Sequence, residues 1–271
     1  MQRAVIRQES WVELAARIGY ASRGAVFALL GVFAALAAMG ARSRAPDSKD
    51  ALRALLNEPF GKTLLALTAA GLLCFAGWRL MQALLDADHR GTKPTSLIQR
   101  LVLAGSAVFY AGFAWIAIGM VFGFDGEGNT DQTAHEWTAW LLAQPFGRWA
   151  VGAMGLAILV SGLGVAVRGL RADFERRIEA KEETREIVTA LGIAGFLARG
   201  FVFALIGVFL LFAAIHARSG EAKGFAGALR MIQHYPYGSI LLGITAAGLI
   251  AFGLFEIAQA AYRRITPPRP A

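Results

Sequence analysis

Six uninterrupted apolar runs leave this chain few folds to choose from: Ile18 to Met39, Phe60 to Leu85, Ile98 to Phe122, Phe146 to Val167, Ile187 to Ile215 and Tyr237 to Tyr262. None contains a proline. All exceed the length a bilayer demands, since about 20 apolar helical residues cross a core of about 30 Å. Strands of a membrane barrel would instead alternate over about 10 residues. Lipid offers backbone amides and carbonyls no partner, so helices are the remaining way to span it. The expected fold class is all-α, a polytopic membrane protein with six transmembrane helices. Composition agrees: 56% of residues are hydrophobic, mean hydropathy is +0.50, and only 17% are charged, where a soluble domain carries about a quarter.

The net charge of +8 does not point to nucleic acid, because the basic residues lie between apolar runs and form no basic domain interleaved with aromatics. They read as topology signals. Lys and Arg number 16 in the N-terminal segment, the second and fourth connections and the tail, against nine on the other side. By the positive-inside rule both chain ends are expected in the cytoplasm of a bacterial cell, with the chain in its cytoplasmic (inner) membrane. The third connection, with Asp125 and Asp131, is acidic and has no Lys or Arg. The first run resembles a secretory signal peptide, but its core pattern recurs at Ala198 to Phe209, so it is expected to belong to the fold. Cys74 is the only cysteine and sits mid-run, which reads as packing. His89, His135, His216 and His234 lack metal-ligand spacing. His135 and Glu136 are adjacent near Asp125 and Asp131, yet no nucleophile or HExxH pattern accompanies them. No metal, cofactor or enzymatic activity is expected.

Internal repeats set the organisation. "PFG" at Pro59 to Gly61 returns as "PFG" at Pro145 to Gly147 and as "PYG" at Pro236 to Gly238. Each opens an even-numbered run, with proline expected at the first helical position. Upstream stand "ALRALLNE", "EWTAWLLAQ" and "GALRMIQHY", apolar at helical spacing and expected as short interfacial helices on the outer face. "GYASRGAVFALLGVF" from Gly19 aligns with "GFLARGFVFALIGVF" from Gly195. Three repeats follow, 17–88, 98–171 and 187–264, within one membrane domain. A two-span unit returns to its starting side, so the copies are parallel, and a pseudo-three-fold arrangement along the membrane normal is expected. Gly24 with Ala28, Gly200 with Ala204 and Gly152 with Gly155 are candidates for close helix approach.

With the "RG.VFAL.GVF" pattern at Arg23 and Arg199, the "ALR...PFG" pattern, and "GLLCFAGWRLMQAL" at Gly71 to Leu84, the chain resembles the bacterial integral-membrane proteins of domain of unknown function family 1206. The resemblance spans Ala16 to Arg264. It implies three tandem two-helix units and carries no established activity. The middle copy departs from the pattern, having Ser106 and Val165 where the others have charges.

Those charges share one depth. Arg79 and Glu256 stand equally far beyond Pro59 and Pro236, close to the ends of their runs, while Arg23 and Arg199 lie just inside the starts of theirs. At 1.5 Å per residue each is roughly 9 Å deep. Gln82, Arg168 and Gln259 stand nearly one turn further out at matching positions. A charge inside a span costs about 2.5 to 3.5 kcal/mol, less near the interface, so it should face a partner or water. A polar network is expected in which Glu256 pairs with one or two arginines and Phe255 faces lipid. Independent snorkelling of each arginine to the headgroups is the competing expectation. The segment "VRGLRADFERRIEAKEETREIV", of mixed charge, is expected to continue as a solvated helix, with resting on anionic lipid or docking a partner as the alternatives.

The expected function is a non-enzymatic membrane protein of structural, lipid-binding or partner-binding type, its partners membrane lipids, anionic ones included, a protein or a second copy of the chain. The alternative is a small-solute channel or transporter along the pseudo-three-fold axis. Against it, mid-span polar residues are few, with Thr68, Ser161 and Thr245 standing out.

Overall fold

The computed structural model describes residues 2–41, 48–85, 94–124, 130–172, 174–175, 178, 180–234 and 236–263; within these, the side chains of 2–12, 48, 94–95, 98, 130–131, 133 and 234 also fall outside the description. Among the described residues the α-helices are α1 (Gln2–Ala38), α2 (Ser48–Asn57), α3 (Gly61–Leu84), α4 (Pro94–Phe122), α5 (Thr130–Leu142), α6 (Gly147–Arg171), α7 (Glu182–His216), α8 (Phe225–His234) and α9 (Gly238–Tyr262), with a 3-10 turn at Ser219–Glu221. Among the described residues the only β-pairing is an isolated bridge between Ile178 and Arg263. Six helices among the described residues, α1, α3, α4, α6, α7 and α9, are long and apolar enough to cross a bilayer. Their outward faces carry large apolar side chains such as Leu67, Phe109, Trp149 and Ile244, a pattern that water would penalise and lipid accepts. The chain is a multi-pass, all-helical membrane protein. Of the basic residues that set the orientation expected above, the side chains of Arg3, Arg7, Arg42, Arg44, Arg90, Lys93, Arg176, Arg177, Arg264 and Arg269 lie outside the described residues, as do those of Asp125, Asp131, His89 and His234.

The short helices α2, α5 and α8 form where the apolar spacing places them, and each runs into a long helix through one tight turn. Here the expected role of the proline is corrected. The long helices start at Gly61, Gly147 and Gly238, two residues after Pro59, Pro145 and Pro236. The residue between, Phe60, Phe146 or Tyr237, is left-handed at φ 62°, 64° and 63°. Gly61 N–H donates to the Glu58 carbonyl at 2.8 Å and Gly147 N–H to that of Gln144 at 2.9 Å. This is a type II turn with proline at its second position and an aromatic at its third, where glycine is usual. The glycine is needed next: a Cβ on Gly61 would lie 2.0 Å from the Leu56 carbonyl oxygen. The three strained aromatic rings point outward, more than four-fifths exposed, as interfacial anchors do.

Helix packing joins one unit to the next more tightly than it joins the two spans within a unit. The closest pairs are α6 with α7, α1 with α9 and α3 with α4, followed by α7 with α9 and α1 with α3. A single rule underlies the first three. The residue 17 positions after each proline is small: Ala76, Gly162 and Gly253. A Cβ on Gly253 would meet the Gly24 carbonyl at 2.7 Å, and one on Gly162 would meet the Gly200 carbonyl at 2.8 Å. In the third pair Ala76 on α3 and Ala107 and Ala114 on α4 hold these positions, all buried. Backbone-to-backbone approach of this kind is how membrane helices associate without a hydrophobic drive between them. Of the expected small-residue sites, Gly24 and Gly200 thus serve approach between units, as does Gly155, whose Cβ would meet Leu211 and Gly207, whereas Gly152 has only Ala214 within 4 Å.

Within units, Gly19 seats against the backbone of Phe75, and Gly195 against that of Phe252. The equivalent position in the middle unit is Val102, exposed. Accordingly α4 and α6 show no packing comparable to that of α1 with α3 or α7 with α9. The six spans therefore pack in the order α4, α3, α1, α9, α7, α6.

Two expectations about the ends of the spans are corrected. The mixed-charge segment is not one continuous helix: α6 closes at Ala172, left-handed at φ 49°, and α7 restarts at Glu182. Phe174 folds back into the core against Phe196 and Phe255, at ring centroid distances of 5.3 and 4.8 Å, over Gly192. Phe255, expected to face lipid, is consequently fully buried. Apolar area outweighs the charge of the segment at this point, because Phe174 is the ring that can close the end of the α7–α9 core.

Candidate functional site

Arg79 on α3 and Glu256 on α9 stand at the same place along helices that start at Gly61 and Gly238. At 1.5 Å per residue that place is about 27 Å from the helix start, near the far edge of a hydrocarbon core of about 30 Å. Arg23 and Arg199 enter the same level from α1 and α7, which extend well beyond it, since these helices start at Gln2 and Glu182.

Arg23 and Glu256 meet. One guanidinium nitrogen of Arg23, Nη1, lies 2.6 Å from Glu256 Oε2, and both side chains are 2% exposed. Arg23 Nε donates to the Tyr110 hydroxyl on α4 at 2.6 Å. Four rings enclose the same guanidinium: Phe75 at 4.8 Å, Phe252 at 4.9 Å, Tyr110 at 5.3 Å and Phe27 at 5.5 Å from its carbon. A buried ion pair offsets its desolvation only where the remaining donors find partners. Here oxygens and aromatic faces from α1, α3, α4 and α9 supply them.

The other two arginines flank this pair. Arg79 lies 4.8 Å from the Phe75 ring and donates to Gln82 Oε1 at 3.1 Å. Arg199 lies over Phe203, Phe252 and Phe27 at 4.8, 5.1 and 5.6 Å. Phe75 is thus shared by Arg79 and Arg23, while Phe27 and Phe252 are shared by Arg23 and Arg199. Rings alternate with like charges along the layer. Both flanking arginines are half-buried, and their Nε atoms are enclosed with no hydrogen-bond partner among the described residues. Gln82 and Gln259 are buried; Gln259 accepts from Arg263 at 2.6 Å, and Arg263 stacks on Tyr20 at 4.9 Å. Arg168 is exposed in the last turn of α6; its unit has Ser161 and Val165 where the others have a ring and a charge, and α4 and α6 lack the close packing of α1 with α3. The repeat prolines and glycines, Pro59, Gly61, Pro145, Gly147, Pro236 and Gly238, lie at the other end of the spans and shape turns.

The aromatic half of the site is what sequence reasoning misses, although its signal is present. Phe27, Tyr110 and Phe203 occupy one repeat position, one helical turn after Arg23, Ser106 and Arg199, and Phe75 and Phe252 share another on the even-numbered spans. Three arginines counted only toward topology cap helix ends. Arg17 donates to the carbonyls of Ala260 and Ala261, Arg100 to those of Ala83 and Leu84, and Arg148 to those of Ala214 and Ile215. Each thereby satisfies orphan acceptors at the end of a helix in the adjacent unit.

Over 266 residues the chain is 35% identical to a protein of Bacillus subtilis (strain 168) described as "Uncharacterized protein YxxB", covering 96% of this chain and 95% of that one. No solved structure matches it. A family model described as Domain of Unknown Function (DUF1206) matches it three times in tandem, at residues 18–86, 101–172 and 194–263. Three matched copies together with six apolar helices place the chain in a family of repeated two-helix membrane units: it belongs to the DUF1206 family.

Proposed function

We propose that this chain is a non-enzymatic protein of the bacterial cytoplasmic membrane, both ends in the cytoplasm, that acts as a structural element binding lipid or a partner at its cytoplasmic face. The observation carrying this reading is the enclosure of Arg23 and Glu256. The charged groups at the centre of the layer are consumed by each other, by Tyr110 and by four rings, which is an arrangement for cohesion. Two of the three mid-span hydroxyls support it. Thr68 donates to the Leu64 carbonyl at 2.9 Å and Thr245 to that of Leu241 at 2.8 Å, each within its own helix, so neither offers its proton to a passing solute.

The test is flux and orientation in one preparation. The full chain in liposomes loaded with potassium and a pH dye is expected to conduct no more than protein-free vesicles. Cysteines introduced near both ends in cells are expected to react with an impermeant maleimide only after the membrane is opened. Protein-dependent flux abolished by Arg23→Leu would overturn the reading in favour of a solute path, and labelling of either end in intact cells would overturn the orientation.

A further inference from the structure

Arg23 and Arg199 occupy one repeat position, and their surroundings can be compared group by group. The register is the same: Gly24 approaches Gly253 and Ile257 on α9, and Gly200 approaches Gly162 and Ala166 on α6. Arg199 has Phe203 where Arg23 has Phe27, and Phe252 where Arg23 has Phe75. The two oxygen acceptors differ. The position of Tyr110, whose hydroxyl accepts from Arg23, is Phe27 at Arg199. The position of Glu256, whose carboxylate pairs with Arg23, is Val165. The ring of Phe252 beside Arg23 is replaced by Ser161, which is smaller and adds a hydroxyl. A guanidinium that has two protein oxygens in one copy therefore has neither in the next, while its Nε is enclosed without a partner among the described residues.

We propose that Arg199, with Ser161 in place of a ring and Val165 in place of a carboxylate, binds one phosphate oxyanion, that of a phospholipid headgroup or of a soluble phosphate. The planar guanidinium fork matches two oxygens of such a group. The partners of Arg23 are internal and the pair is sealed, whereas Arg199 is half-buried, its Nε enclosed and the rest of its side chain partly exposed. Its level lies inside the end of the span, so a headgroup phosphate would be drawn inward to meet the guanidinium, as the long arginine stem reaches outward toward it. Beside the site, α6 presents Val160, Leu163 and Val167 exposed, a surface suited to the acyl chains of the same lipid. The inference rests on the proposed reading only in taking the chain to span the bilayer with lipid or a partner at this face. A failure of the flux test would leave it standing.

The experiment uses the full chain in nanodiscs of equal phosphatidylglycerol and phosphatidylethanolamine, extracted into detergent and delipidated. Native mass spectrometry counts retained phospholipid, and a thermal shift with inorganic phosphate tests the soluble source. Wild type is expected to retain one phospholipid that is reduced at least about tenfold in Arg199→Gln and in Val165→Glu, as loss of charged hydrogen bonds implies. Val165→Glu supplies an internal carboxylate, so its melting temperature should equal or exceed wild type while binding is lost. A phosphate-induced shift lost in both variants, without lipid retention, assigns the site to a soluble anion. Lipid retention and phosphate response unchanged in Val165→Glu, or in Arg199→Gln where Val165→Glu does not fold, overturn the proposal.

Discussion

Removing one member of the Arg23–Glu256 pair leaves the other charged and buried, and the structure sets the size of that effect. Breaking a buried pair in this way costs about 3 to 5 kcal/mol. In Glu256→Leu the guanidinium keeps the Tyr110 hydroxyl and its four rings, and desolvated cation–π contacts are each worth up to about 2 kcal/mol. The lower figure is therefore expected, about 3 kcal/mol. For a chain of this size about 2 °C of melting temperature accompanies each kcal/mol, so the apparent midpoint in detergent should fall by about 6 °C. Arg23→Met leaves the carboxylate among ring faces that do not favour an anion and should cost more, toward about 5 kcal/mol. The double variant removes both charges at once and should recover most of the loss, because no ion is left without its partner. Melting of the four proteins in one detergent, followed by the fluorescence of a thiol dye on Cys74 or by light scattering, completes the cycle. Single variants as stable as wild type, or a double variant whose loss equals the sum of the singles, would refute the coupling.

Three further outcomes follow from the packing. Gly61→Ala places a Cβ 2.0 Å from the Leu56 carbonyl and should cost several °C of midpoint, whereas Gly77→Ala in the same helix meets nothing within 4 Å and should match or slightly exceed wild type. Gly253→Val drives a side chain into the backbone of Gly24 and Ala28; it should separate α1 from α9 and abolish a well-folded peak in size-exclusion chromatography, while Gly164→Val on the open side of α6 should not. Arg100→Ala frees the Ala83 and Leu84 carbonyls and should lower the midpoint by about 2 to 4 °C, the effect of roughly 1 to 2 kcal/mol.

Much of this architecture is written in period and length. Long apolar runs without proline announce spans, and the recurrent PFG and PYG triplets announce units, because both are local properties of the chain. The common depth of Arg23, Arg79, Arg199 and Glu256 follows from the same alignment. Azimuth does not. A residue number gives height along a helix, but which neighbour a side chain meets depends on how helices cross. Those crossings are set by single small residues such as Gly162 and Gly253, too weak a signal among 31 glycines. So the identity of the paired arginine and the encircling rings emerges only in three dimensions. Phe255 defeats a sequence reading for a related reason: it is covered by Phe174, a ring reaching in from a segment whose charges suggest solvent. The different behaviour of Arg168 also traces to azimuth, since Val102 in place of a glycine keeps α4 from packing on α6 as α1 packs on α3.

The central claim is that the charges in these spans turn toward one another and toward rings, at one level of the bundle. It is tested most directly by an experimental structure of the full chain in a lipid nanodisc. Arg23 and Glu256 are expected within ion-pair distance, enclosed by Phe27, Phe75, Tyr110 and Phe252, with Arg79 and Arg199 flanking them. Side chains of Arg23 and Glu256 directed separately into the acyl chains would contradict it.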